Sequence, residues 1–314
     1  MNLSRREILG GTTVLMGAAM ASGVSASAEA QRARRTANEP FGYCLNMSTI
    51  RGNNLDVPAQ VDVAAKAGYN AIEPWAREIE AYTAKGGTLK DLAKRIKDSG
   101  LTVEDVIAFN AWLDDDDTRR AAAMENLKRE MDMVAQIGGK RIATPPGQNG
   151  NGVSLDHAAE YYRAALELGE QMGVLPLCEL WGQSPVLGPL SHGAYVTIGT
   201  GRGDASMLLD IFHVYKSGTS FASLDQINGA ALHVIHVNDY PAADDPSKLT
   251  DANRVYPGDG VAPLGQIFRD LHDNGFRGVL SLELFNKDYW KLSAEENART
   301  GLEKTRAAVR KALA

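Results

Sequence analysis

The sequence predicts a single α/β domain, a (β/α)8 barrel, and three observations carry that prediction. From Phe41 onward amphipathic helical stretches alternate with short apolar runs, the pattern of parallel strands joined by helices. Eight such runs occupy the ~270 residues after Phe41, close to the ~250 that a TIM barrel usually takes. No G-x-G-x-x-G turn follows the first run, which argues against the rival, an open doubly wound sheet.

The elements follow in order. Phe41–Asn46 is the first strand. Val57 to Lys66 has helical period and stops at Ala67-Gly68, ahead of the run Asn70–Trp75. Leu89 to Lys97 precedes Ser99-Gly100 and the strand Leu101–Glu104. Arg119 to Ile137 precedes Gly138-Gly139 and Lys140–Ala143, and Leu155 to Gln171 precedes Gly173 and the strand Val174–Glu179. Ser206–Asp210 and Ala231–Asn238 are the sixth and seventh strands. Leu264 to Asp273 then leads through Gly275 to the eighth, Val279–Glu283. The recurring phrase is a helix stopped by glycine just past its last turn and followed by a buried strand.

Composition narrows the function. The 314 residues carry a net charge of −6 and are 44% hydrophobic, as expected of a globular enzyme-sized chain. An acidic balance argues against a nucleic-acid binder, which normally presents a basic face. Two cysteines, Cys44 and Cys178, make no disulfide framework; each lies in an apolar run and is expected to be a buried free thiol.

The first 30 residues are expected to stand apart from the fold. Ser4-Arg5-Arg6-Glu7-Ile8-Leu9 precedes a weakly apolar, Gly- and Ala-rich stretch from Gly10 to Val24, then the A-x-A sites Ala26-Ser27-Ala28 and Ala28-Glu29-Ala30. This arrangement resembles a twin-arginine (Tat) export signal, which implies passage through the Tat machinery and a periplasmic or otherwise exported protein. The stretch is too short and glycine-broken for a permanent membrane anchor. Residues 31–40 read as a flexible leader and residues 41–314 as the barrel.

Polar residues of one chemical kind end the last four strands. Glu179 closes the fifth, Asp210 the sixth and Glu283 the eighth, while His236 ends the seventh. Barrel enzymes keep their chemistry at this end of the strands. Three carboxylates and an imidazole converging there would repel one another without a cation. An O3N donor set suits one divalent ion, manganese favoured, with cobalt, magnesium or zinc as other candidates. His213, three residues past Asp210, is placed to reach the same pocket.

These residues carry a family resemblance. Glu179-Leu180-Trp181-Gly182, Leu209-Asp210-Ile211-Phe212-His213 with Tyr215-Lys216-Ser217-Gly218, His236-Val237-Asn238-Asp239, Tyr256-Pro257-Gly258-Asp259-Gly260 and Leu282-Glu283-Leu284-Phe285-Asn286 resemble the sugar phosphate isomerase/epimerase family of the xylose-isomerase-like barrel superfamily. The resemblance implies that Glu179, Asp210, His236 and Glu283 bind one divalent metal and that His213 contacts substrate oxygens. Asn238 stands where many members have lysine, and no glutamate lies six residues after Glu179, where some keto-sugar epimerases have one.

The expected chemistry is isomerisation or epimerisation of a sugar or keto-sugar by proton transfer through a metal-stabilised ene-diolate. Glu179 and Glu283 serve as opposed base and acid, and His213 polarises the carbonyl. The same enolate can instead expel a β-substituent, which would make the protein a dehydratase or lyase on a keto-sugar, inosose or 3-keto-glycoside. Trp181 and Trp112, with Trp75, follow strand ends and are candidates to stack on a sugar ring. Lys216 and Arg254 are candidates to hold a substrate carboxylate or hydroxyl, and Glu73 either bonds a hydroxyl or braces the barrel. Asp114 to Asp117 reads as a helix start, and His233 as a core residue. A small-molecule carbohydrate is the expected partner, with a homo-oligomer open. Two further classes fit less well. An endonuclease IV-like phosphodiesterase would need histidines in the first half of the barrel, yet all six lie beyond residue 156. A non-catalytic sugar-binding protein would not need two opposed glutamates.

Replacing Arg5 and Arg6 with lysine should retain the protein in the cytoplasm, as read by cell fractionation; undiminished export removes the signal reading.

Overall fold

The computed structural model describes residues 39–147 and 152–314. The expected export signal and nearly all of the leader lie outside the described residues, as do residues 148–151. Among the described residues no helix is long and apolar enough to cross a membrane.

Eight parallel strands form one curled sheet: β1 (Gly42–Asn46), β2 (Ala71–Glu73), β3 (Thr102–Val103), β4 (Arg141–Thr144), β5 (Leu175–Glu179), β6 (Met207–Asp210), β7 (Val234–Val237) and β8 (Val279–Leu282). Their spatial order is β3-β2-β1-β8-β7-β6-β5-β4, so strands adjacent in sequence pair with one another, except β3 with β4, and β8 returns to β1. The ring closes past the short β3 through Ile107, which bridges Trp75 on one side and Ala143 on the other. Three backbone hydrogen bonds hold that seam: Ile107 N to Pro74 O (3.0 Å), Ala76 N to Ile107 O (2.9 Å) and Ala143 N to Val106 O (2.9 Å). The architecture is the expected single TIM barrel.

The helices are α1 (Val57–Ala67), α2 (Ala76–Ala84), α3 (Leu89–Asp98), α4 (Asp117–Gln136), α5 (Leu155–Met172), α6 (Leu190–Gly199), α7 (Ile211–Lys216), α8 (Leu264–Asp273) and α9 (Ala294–Leu313). Local chemistry fixes their ends. Asp56 caps α1 through Ala59 N, Thr88 caps α3 and Ser154 caps α5, each side-chain oxygen accepting one of the unpaired first-turn amides. Gly68 and Gly173 stop α1 and α5 at φ of 91° and 69°, where a Cβ would be strained. Asp116 caps α4 through Arg119 N at 2.8 Å, so the aspartate run does open a helix.

Several expected elements differ in extent. Leu101–Glu104 shrinks to the two residues of β3, because the chain leaves the sheet at Glu104 and rejoins it at Ile107. Helices α2, α6, α7 and α9 had no counterpart in the sequence pattern. α6 is the plainest case: LSHGAYVTIG is β-branched, has no side-chain cap, and buries scattered positions rather than a stripe. Cys44 and Cys178 are buried free thiols on β1 and β5, their pKa raised chiefly by burial. His233, expected in the core, is half-buried at the start of β7.

Candidate active site

Strand register builds the site. Asp210 on β6 lies beside His236 on β7, and His236 beside Ser281 on β8, so the three side chains share one face of the sheet. Glu283 follows Ser281 by two residues and returns to that face. Glu179, the last residue of β5, pairs with Leu208, two residues before Asp210. All four expected ligands are brought together. From His236 Nδ1 the distances are 3.1 Å to Glu283 Oε2, 3.6 Å to Asp210 Oδ2 and 3.7 Å to Glu179 Oε1.

Each partner is aimed by a second contact. His236 Nε2 lies 2.9 Å from Glu73 Oε1, with both side chains fully buried. An imidazole whose Nε2–H bonds a carboxylate turns its Nδ1 lone pair to the opposite side. Glu73 itself is held by Asn46 Nδ2 (2.7 Å) and Ser281 Oγ (2.6 Å) at Oε2. Asp210 Oδ1 accepts from Phe212 N (2.7 Å), His213 N (3.2 Å) and Asn238 Nδ2 (3.1 Å). It thus caps α7 with one oxygen and leaves Oδ2 facing the cluster. Asn46 Nδ2 also reaches Glu283 Oε1 at 3.2 Å.

Arg254 supplies the one buried guanidinium seen in this cluster. Its Nη1 donates to Asp210 Oδ2 (2.5 Å) and Glu283 Oε2 (2.6 Å), and its Nη2 to Asp251 Oδ1 (2.9 Å), with His213 Nε2 3.3 Å away. The loop between β7 and α8 folds Arg254 inward. Asp239 pins that loop at both ends, accepting from Gly258 N and Ala262 N and pairing its backbone with Val255. Gly260 is needed at the crossing, since a Cβ there would lie 2.2 Å from Tyr240 O.

Burial sets the electrostatics. Desolvation, with Glu283 and Asp210 nearby, pushes the Glu179 carboxyl up to about 8. Burial is the largest influence on Asp210 and pushes it up, but the Arg254 charge together with His213 and His236 outweighs it and holds Asp210 well below the carboxylate range. His213 is pushed down to about 4, mainly by burial, and is a neutral imidazole. Arginine has only donors, so His213 Nε2 accepts and Nδ1 carries the proton. That buried Nδ1 has no hydrogen-bond partner.

The residues fit a divalent ion. His236 Nδ1 is a buried nitrogen without a hydrogen-bond partner, directed at three carboxylates. One ligand atom each from Asp210, His236 and Glu283 falls within 4.8 Å of the others. Donors on opposite sides of an ion held at ~2.2 Å are ~4.4 Å apart. The spacing therefore needs only small adjustment.

Other expected site residues are placed differently. Trp112 is fully buried, its Nε1 bonded to Thr144 O (3.1 Å) and Pro145 O (3.0 Å) and its ring against Tyr162, so it has no free face for a sugar. Lys216 donates to Leu249 O at 2.7 Å and ties down the β7–α8 loop. Arg254, a candidate to hold a substrate oxygen, lies within the carboxylate cluster, and Glu73 braces His236. Trp181 stays near the pocket, its ring 6.2 Å from His213 and 6.0 Å from Phe109. Asn46, Ser281 and Phe109 were not anticipated. Asn46 alone had a visible signal, a polar residue closing an apolar strand at the level of the acids.

Known proteins show the same fold. The family model described as xylose isomerase-like TIM barrel matches residues 61–308. An inosose isomerase of Bacillus velezensis is 27% identical over 277 residues, covering 85% of this chain and 97% of that protein. A 3-dehydroshikimate dehydratase of Pseudomonas aeruginosa is 21% identical over 255 residues, 78% of this chain and 39% of that protein. The crystal structure of an IOLI protein with a bound zinc atom superposes with a TM-score of 0.80 at 23% identity, over 86% of this chain and 99% of that one.

Two outcomes follow from this geometry. Glu73→Gln removes the carboxylate behind His236 and should weaken divalent-ion affinity ~10–100-fold, read by competition with a chelating dye, while circular dichroism stays native. Unchanged affinity would show that Glu73 does not orient the ligand. Ion affinity should also rise with pH to about 8, because Glu179 must release its proton to bind; affinity flat below that pH contradicts the assignment.

Proposed function

The chain belongs to the xylose isomerase-like TIM barrel family, and we propose that it is a metal-dependent isomerase or epimerase of a sugar-like polyhydroxy ketone such as an inosose. The observation that carries this reading is the pair of glutamates ending β5 and β8. They come from separate strands, yet each lies within 3.7 Å of the same imidazole nitrogen, flanking the Asp210–His236 pair. The inosose isomerase relative supports the substrate class.

Asp210, His236, Glu179 and Glu283 would hold the ion, manganese being favoured by the oxygen-rich donor set. Bound there, a divalent ion supplies Lewis-acid polarisation of a ketone and its neighbouring hydroxyl. One glutamate takes the proton from the carbon next to the ketone, and the other delivers a proton to the partner carbon or the opposite face. Dry surroundings that raise the Glu179 pKa keep its carboxylate basic. His213 donates from Nδ1 to the substrate oxygen on which charge develops. Arg254 restrains Asp210 and Glu283, and Trp181 with Phe109 gives the ring an apolar wall.

A second reading has its own support in the dehydratase relative. The same proton abstraction, followed by departure of a β-hydroxyl or glycosyl group, gives an unsaturated ketone. Export through the Tat pathway, argued from Arg5 and Arg6, remains part of the proposal for where the protein works.

The test is a set of inososes, keto-sugars and 3-keto-glycosides incubated with the manganese-loaded protein in deuterated water and followed by NMR. Deuterium should enter next to the ketone, with an isomer as product; an unsaturated product instead selects the lyase reading. Glu283→Gln should slow that exchange ~100-fold or more without unfolding the protein. Exchange that persists in the variant overturns the role given to Glu283.

A further inference from the structure

Two cations at the same end of the barrel are left over by the reaction above. Arg51 lies in the 3-10 turn Met47–Asn53 that follows β1, and Arg77 in the first turn of α2, which follows β2. Both guanidinium groups rest on the Trp75 ring, with Cζ 3.8 Å and 4.6 Å from its centroid. Arg51 also stands 5.6 Å from the Phe285 ring. Its Nε and Nη2 are buried and make no hydrogen bond. Glu78 forms an ion pair with it at 3.6 Å from Nε, beyond hydrogen-bond range, and its other oxygen accepts from Gln60 Nε2 at 3.1 Å.

This arrangement is costly unless something completes it. Like charges share one ring, and two dry donors lack acceptors. The position is also close to the chemistry. Trp75 Nε1 donates to Asn46 Oδ1 at 3.0 Å, and Asn46 Nδ2 donates to Glu283 Oε1 at 3.2 Å. Trp75 continues through Phe109, at 5.2 Å, to Trp181, so the pair sits at one end of the aromatic wall. Phe109 is 51% exposed, which keeps that wall open to solvent. A planar guanidinium with paired free donors matches a carboxylate in geometry as well as charge.

We propose that Arg51 and Arg77 form a subsite for a carboxylate carried by the substrate at the end remote from its reacting carbonyl. The substrate class is then an acidic keto-sugar or cyclitol acid. This rests on the proton-transfer reading of the carboxylate cluster, and it adds the charge that selects among polyhydroxy ketones. It also gives the β1 and β2 loops a binding role separate from the ligands on β5 to β8.

The experiment compares D-fructuronate, D-glucuronate and D-galacturonate with D-fructose, D-glucose and D-galactose on the manganese-loaded full chain. Calorimetric titration reads affinity, and NMR in deuterated water separately reads C–H exchange. At least one uronate should bind about tenfold or more tightly than its hexose, the size of one charge-assisted contact. Arg51→Gln and Arg77→Gln should each bring that ratio toward one, with Arg51→Lys restoring part of it, and circular dichroism confirms folding. Uronates that bind no better than hexoses, including no binding by either, overturn the subsite, as does a preference that survives Arg51→Gln. A uronate preference without exchange upholds the subsite and counts against proton transfer. Exchange on uronate and hexose with equal KM does the reverse.

Discussion

The structure turns on keeping several carboxylates dry in one place. Glu73, Glu179, Asp210 and Glu283 are all at most 4% exposed, and they converge on a single imidazole. Buried acids at that density hold together only against positive charge. Arg254 meets part of the demand, and His236 faces the rest. The constraint explains why so much surrounding structure exists only to orient these groups. Asn46, Ser281, Asn238 and the first amides of α7 each take up an oxygen, which turns the remaining ones toward Arg254 and His236.

Orientation and charge compensation come from different parts of the chain. Strand register alone places Asp210, His236, Ser281 and Glu283 on a common face, because the parallel ladder fixes which residues are neighbours. Arg254 arrives from the β7–α8 loop, and its position depends on Asp239 closing that loop like a clasp. The rigid scaffold thus holds the acids, and an irregular segment holds their counter-charge, a division typical of barrel enzymes.

Much of this was legible in the sequence, and the limits are instructive. The barrel could be read from the alternation of helical and apolar runs, and the four acid and histidine positions from their places at strand ends. α8 was found with its bounds intact, because its apolar stripe is strong and a glycine follows it. α6 was missed, because burial there is dictated by packing and leaves little trace in the periodicity. Trp112 was misplaced for a related reason. A side chain after a strand end can turn outward to ligand or inward to core, and only tertiary contacts decide which. Asn46 illustrates the converse, a polar group whose role exists solely through its partners.

The sheet is uneven around its circumference. From β4 through β8 to β2 the strands pair by continuous ladders, whereas β3 contributes two residues and the closure rests on Ile107. The strands that carry Glu179, Asp210, His236 and Glu283 all lie in the continuous part. Closure through one bridging residue makes the β3 seam the least continuous part of the sheet. Within the β3–α4 segment, Ile107 is held by the closure and buried Asp105 by its electrostatic contact with Glu73 and His236, whereas exposed Phe109 at the mouth can vary with little disturbance to the carboxylate cluster. The fold in this way separates the part that must stay fixed for chemistry from the part free to diverge toward new substrates.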